Sequence, residues 1–231
     1  VVVAPTVNYH FYPSFLEYPG STHLEFETAK NVIVDIVHSL AGYGPRRFYV
    51  LNTGVSTARP LAAAAEQLKA EGIYFSYTNI LAVAGPAEER VKQQVRGTHA
   101  DEIETSMMLY MHPDRVDMSK AVKDDSPQGT GGLTRVRGNA KTFSPSGVWG
   151  DATLATREKG RVVVEAMVEG ILGEIEALRR ATARLRQAAP RSRRSGSARH
   201  VASGGLPHRA CGAPRRRSAP SAAATSSARP R

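Results

Sequence analysis

Apolar segments alternate with amphipathic ones through residues 1–81, and this alternation leaves few folds open. Val1 to Val7 is a short continuous apolar run, as expected of a strand covered on both faces. Ala29, Val32, Ile33, Ile36, Val37 and Leu40 then recur at helical spacing, closed by Gly42 or Gly44. Arg47 to Leu51 reads as the next strand, Pro60 to Glu71 as an alanine-rich helix ended by Gly72, and Ile73 to Leu81 as a third strand. This order with short connections predicts an α/β fold: a mostly parallel sheet with right-handed crossovers. Further on, Gly85-Pro86 opens a charged helix to about Val95, and Thr105 to Met111 reads as a helix stopped by His112-Pro113. Asp124 to Ser146 has little periodicity and reads as an excursion. Thr156 then caps a long helix carrying Val163, Met167, Ile171, Ile175 and Leu178 on one face.

Charge divides the chain in two. Residues 187–231 hold ten Arg and no Lys, Asp or Glu, so the whole excess of +10 falls there and residues 1–186 are balanced. A folded nucleic-acid-binding body would carry its own basic cluster. The Ala/Ser/Pro/Gly-rich 187–231 stretch cannot bury enough apolar surface to offset its ordering entropy, and reads as a disordered tail. Through such a tail nucleic acid or anionic lipid is a minor partner class. Cys211 has no second cysteine to pair with, no apolar run is long enough to span a bilayer, and no signal segment opens the chain. A cytoplasmic protein is the expectation. The sequence starts inside an apolar run without an initiator Met, so a further segment upstream is expected too.

The densest chemistry lies at Gly97 to Ser106, where His99, Asp101, Glu102 and Glu104 fall within six residues at the start of a helical pattern. His99 with Glu102, or Asp101 with Glu104, share a helix face, which suits a divalent metal or a proton relay. The same acids also suit a plain helix N-terminus, where free N–H groups and the dipole favour negative charge. In open parallel sheets ligands sit beyond the carboxyl ends of the strands. The polar segments there are Asn8-Tyr9-His10 and Asn52 to Thr57. The aromatic loop Asn8 to Ser21 is longer than a connection needs, as functional loops often are.

Several blocks, in order, resemble the creatininase (creatinine amidohydrolase) family. They are Pro19-Gly20-Ser21-Thr22, Gly44 to Asn52, His99 to Leu109 with its Glu104-Thr105-Ser106, Pro113 to Met118, and Ser146 to Gly160 with Gly150-Asp151-Ala152-Thr153-Leu154-Ala155-Thr156. The resemblance spans about residues 1–180. It implies a three-layer α/β/α domain, a homo-oligomer and often a hexamer, that hydrolyses a small amide or lactam C–N bond with one or two Zn, Mn or Fe ions. It implies a catalytic role for His99, a metal-ligand role for Glu104 together with His99, and a general base at Asp101 or Glu102, these two being the more exposed acids. Asn52, His10 and Trp149 are the expected substrate contacts; a turn-holding Asn52, a core-packed His10 and a loop-packing Trp149 are the plainer alternatives. Ser56 and Thr57 invite a nucleophile reading only weakly, since no His base adjoins them. Two family features are absent. No Glu-x-His…Asp segment precedes Val1, and Asn52-Thr53-Gly54-Val55 stands where the family has Asn-Gly-His, leaving His10 or a single-metal site as substitutes. A catalytically inactive oligomeric scaffold of the same fold is the alternative function.

Overall fold

The computed structural model describes residues 1–126 and 129–188. The chain divides into a unit Val1–Pro190 and a second unit Arg191–Arg231. The expected disordered tail, with its nucleic-acid reading and Cys211, lies outside the described residues apart from its first positions, which belong to a helix. In the first unit, β1 (Arg47–Val50) pairs in parallel with β2 (Tyr74–Tyr77), Phe48 opposite Phe75 and Val50 opposite Tyr77. Helices α1 (Phe26–Ala41) and α2 (Ala58–Ala70) cover one face of this pair. Ile33, Val34, Val37, Leu61, Ala64 and Leu68 form a buried cluster there, against which Phe48, Val50, Phe75 and Tyr77 pack.

Because side chains alternate along a strand, Tyr49 leaves β1 on the other face. Its hydroxyl donates to Glu174 at 2.5 Å and lies 2.7 Å from Thr78 Oγ1. Burial first, and then the Glu174 carboxylate, push the Tyr49 pKa up to about 12. Glu174 belongs to α5 (Arg157–Ala188), which packs with α3 (Ile80–Val91) and α4 (Glu102–Met111) around Ala84, Ala87, Ile103 and Val163. The result is helix, sheet, helix: the expected three layers around a parallel pair. Among the described residues, the strands of the excursion after α4 are two residues long. Of these, β3 (Lys123–Asp124) pairs antiparallel with β6 (Gly150–Asp151), and β4 (Leu133–Thr134) pairs in parallel with β5 (Thr142–Phe143).

The element boundaries correct the sequence reading in three places. Val1 to Val7 is not a buried strand; it joins no ladder among the described residues, and Val1, Val2 and Val3 are fully exposed. Apolar composition favours a strand, but a strand exists only where its N–H and C=O groups find a partner, and among the described residues β1 pairs with β2. The third strand stops at Tyr77, because Asn79 already accepts bonds from Ala82 N and Val83 N and begins α3. Gly85 and Pro86 therefore lie inside that helix rather than at its start. Tertiary burial of Ala84 and Ala87 against Val163 outweighs the proline's missing donor. Finally, α3 ends at Val91 and not near Val95, since Lys92 turns extended and the next two amides bind elsewhere.

Helices α4 and α5 cross at Gly160, where any side chain would collide with the Ser106 carbonyl. Thr156 caps α5 as expected, its Oγ1 accepting from Lys159 N at 3.3 Å, while Thr156 N donates to Ser106 Oγ at 3.0 Å. Gly160→Ala is therefore expected to lower unfolding free energy in urea by about 2–3 kcal/mol, measured against Gly173→Ala, where a methyl meets open space.

Candidate active site

The segment joining α3 to α4 is built around one carboxylate. Glu102 is fully buried and accepts Gln93 N at 2.9 and 3.1 Å and Gln94 N at 2.7 Å. It also receives Lys159 Nζ from α5. Lys159 is bound further by Gln93 Oε1 and the Leu154 carbonyl, each at 2.8 Å. Burying a carboxylate without such partners would be strongly unfavourable. Its lone pairs are committed to holding the chain.

Asp101 is equally committed. It is the N-cap of α4, its Oδ1 accepting Ile103 N at 2.9 Å and Glu104 N at 3.0 Å, and Gln94 Nε2 donates to its other oxygen. The expectation that Asp101 and Glu102 are the exposed acids of the cluster is thus corrected: both are buried, at 3% and 0% exposure. The amide of Gln94 completes the arrangement, its Oε1 accepting Glu102 N at 3.2 Å and Asp151 N at 3.1 Å.

His99 and Glu104 face the other way. His99 exchanges backbone bonds with Trp149 in an isolated antiparallel bridge, Trp149 N donating to His99 O at 2.8 Å. Ala100 follows in the left-handed region at φ 48°, a costly conformation for a residue with a Cβ. That turn lets Glu104 reach back to Ala100 N at 2.6 Å, and brings Glu104 Oε2 within 3.6 Å of His99 Nδ1. The separation exceeds a hydrogen bond, and burial decides both titrations. It lowers the His99 pKa below the ordinary 6.5, against the opposing pull of Asp101, and raises that of Glu104 although 47% of the Glu104 side chain is still exposed. The lowered pKa favours the neutral ring, whose unprotonated nitrogen can accept a proton.

The other face of His99 stacks on Phe15, centroids 4.1 Å apart and planes 27° from parallel. The two rings form one side of an open hollow of about 440 Å³ shared with Tyr18, Ser21, Ser146 and Gly147. Phe15 lies in a 3-10 turn (Pro13–Phe15) of the aromatic loop. That loop starts at the carboxyl end of β1, where Ser56 Oγ donates to the Phe11 carbonyl at 3.0 Å. A second hollow, lined by His38, Arg46 and Glu71, lies at the amino ends of the strands.

The remaining expected contacts do not join this hollow. Asn52 is buried and holds its own turn, donating to the Gly54 and Thr78 carbonyls at 2.8 and 3.2 Å, with Thr57 Oγ1 2.5 Å from its Oδ1. The hydroxyls of Ser56 and Thr57 are spent on these contacts. Trp149 is buried and donates its indole N–H to the Ser126 carbonyl at 2.9 Å, so it packs the loop and reaches His99 only through backbone. His10 is buried, neither ring nitrogen meets a protein partner, and burial lowers its pKa.

A catalytic metal needs about three protein donors on one point. Among the described residues no three His, Cys, Asp or Glu side chains converge in that way. His99 and Glu104 supply two, Asp101 and Glu102 are spent, and His10 stands without a second donor. The residues present do not by themselves fit a metal ion.

A family profile for creatininase (creatinine amidohydrolase) matches residues 1–175. The chain belongs to the creatininase family. It is 29% identical over 173 residues to a creatinine amidohydrolase of Pseudomonas putida, covering 68% of this chain and 65% of the relative. It is 25% identical over 175 residues to a mycofactocin precursor peptide peptidase of Mycobacterium ulcerans (strain Agy99), covering 75% and 65%. The chain thus spans 65% of the length of these curated relatives. A Bacteroides fragilis NCTC 9343 structure assigned as a creatinine amidohydrolase is 26% identical with TM-score 0.61, over 76% of this chain and 71% of that one. A structure named as the Mn form of creatininase shares the fold at 24% identity and TM-score 0.58, over 75% and 74%. The creatininase α/β fold expected from the sequence is confirmed.

Gln94, Lys159, Phe15 and Ser146 were not singled out by the sequence. Only the length of the aromatic loop pointed toward Phe15. For His99, a proton NMR titration is expected to give a midpoint below 6.5, with folded-state stability falling as pH drops through 6.5, because the unfolded chain binds the proton first. A midpoint at or above 6.5 would show that Glu104 and Asp101, not burial, govern the ring.

Proposed function

We propose that this chain is part of a creatininase-type amidohydrolase that opens a small amide or lactam C–N bond in the hollow beside His99. The observation that carries the reading is the position of the His99 ring, stacked on Phe15 at the wall of a hollow, inside the segment that matches the family. A neutral His99 accepts a proton from the water that adds to the substrate carbonyl, and returns it to the nitrogen as the C–N bond breaks. Glu104 needs to close less than an ångström to hydrogen-bond the ring and stabilise its protonated form. Asp101, Glu102 and Trp149 then hold the loop and touch no substrate, and Asn52 holds the turn after β1.

Divalent metal dependence, on Zn, Mn or Fe, is part of the proposal for the whole protein. The names of the related structures include Mn and Zn–Zn forms. A complete ion site would need donors beyond His99 and Glu104, and the steps above assign it no role. No helix of the described residues is long and apolar enough to cross a membrane. A cytoplasmic homo-oligomer acting on a small molecule completes the reading.

The test is turnover of creatinine and 2-pyrrolidinone by the purified chain, with and without added Zn or Mn, followed by NMR of the ring-opened product. The expected result is turnover that falls at least about 100-fold in His99→Ala and is not restored by His99→Gln. Absence of turnover under every metal condition, or turnover that His99→Ala leaves intact, favours the inactive scaffold.

A further inference from the structure

Besides the Phe15–His99 stack, the turn Ser146-Gly147-Val148 lines the hollow. This turn is far more tightly braced than a surface connection requires. Ser144, fully buried, accepts Gly147 N at 2.9 Å and lies 2.6 Å from the Val148 carbonyl. Ser146 Oγ accepts Val148 N at 3.1 Å. Both hydroxyls also meet the same Asp124 oxygen, at 2.9 Å from Ser144 and 2.5 Å from Ser146. Asp124 is fixed in turn by its place in β3.

Gly147 sits at φ +87°, where a Cβ is strained, and that Cβ would come within 3.2 Å of the Tyr18 ring. Tyr18 cannot swing away freely, because its hydroxyl donates to the Ser144 carbonyl at 2.7 Å. The turn, the ring and the buried serine therefore form one rigid wall whose outer surface is the hollow. Such a wall presents a hydroxyl at a fixed place, and a fixed hydroxyl discriminates between ligands better than a mobile one.

We propose that the Ser146–Val148 turn, braced by Ser144 and Asp124, is the specificity wall of this hollow: Ser146 Oγ, its own proton held by Asp124, accepts a hydrogen bond from an N–H of the bound ligand, and Gly147 sets the width available to it. The inference rests on the hollow being the substrate site, as read above. No Lys or Arg side chain lines the hollow and the Asp124 carboxylate stands behind Ser146, so the carboxylate of a ring-opened form would find no cation there and the wall favours the uncharged ring.

Binding of 2-pyrrolidinone and of 4-aminobutyrate to the intact chain, followed by NMR titration, tests this without need of turnover. The lactam is expected to bind more tightly than the amino acid. Ser146→Ala is expected to weaken lactam binding about five- to tenfold, Ser146→Thr to restore it to within about twofold, and the distant Ser119→Ala to change nothing. Gly147→Ala is expected to weaken binding further. Should that variant fail to fold, the Ser146 pair still decides. Lactam affinity that is unchanged in Ser146→Ala, lost equally in Ser146→Thr, or absent in the unaltered chain overturns the proposal. Binding without hydrolysis leaves the wall standing and removes the hydrolase reading. Hydrolysis that Ser146→Ala does not affect does the reverse.

Discussion

The site depends on the burial of Glu102. A carboxylate taken wholly out of water must be matched by donors, and Glu102 finds them in the Gln93 and Gln94 amides and the Lys159 ammonium. The partners come from two pieces of structure: the segment just after α3 and the first turn of α5 are both tied to the first turn of α4. This explains why α3 stops at Val91, since the amides that would continue it are drawn to Glu102 instead. It also fixes where α4 begins, and with it the position of everything on the loop before.

From that anchor the acids of the central cluster divide by role. Asp101 and Glu102 point into the protein and are saturated. Ala100, forced to a positive φ, turns the chain so that His99 lines the hollow with Glu104 beside its ring. The strain at Ala100 is offset by the bonds on either side of it, the Trp149 bridge before and the Asp101 cap after. A cluster that looks uniform in sequence thus becomes a structural half and a chemical half, separated by one left-handed residue.

What could be read from the sequence followed the range of the interactions involved. The faces of α1 and α5 were legible because Ile33, Val37, Val163 and Met167 repeat with the helix period, which is a local property. The cap at Thr156 was legible for the same reason. Val1 to Val7 was misread because composition reports strand preference and says nothing of a partner. The roles of Asp101 and Glu102 were hidden because the cation that decides them, Lys159, lies 57 residues away. His99 was found through its neighbours in sequence and its family block. Its Phe15 face, and the Ser144–Ser146–Asp124 bracing at the hollow, depend on contacts between distant segments that no spacing rule encodes.

Amide hydrogen exchange in the intact chain, compared with Glu102→Ala, tests this dependence most directly. The account predicts that the Gln93 and Gln94 amides are strongly protected in the unaltered protein. In the variant they should exchange at least about tenfold faster, together with Thr98 and His99, while the α1 and α2 amides around Ile33 and Leu68 stay as they were. Unchanged protection at Gln93, Gln94 and His99 in Glu102→Ala would contradict it, since the loop would then be held by something other than the buried carboxylate.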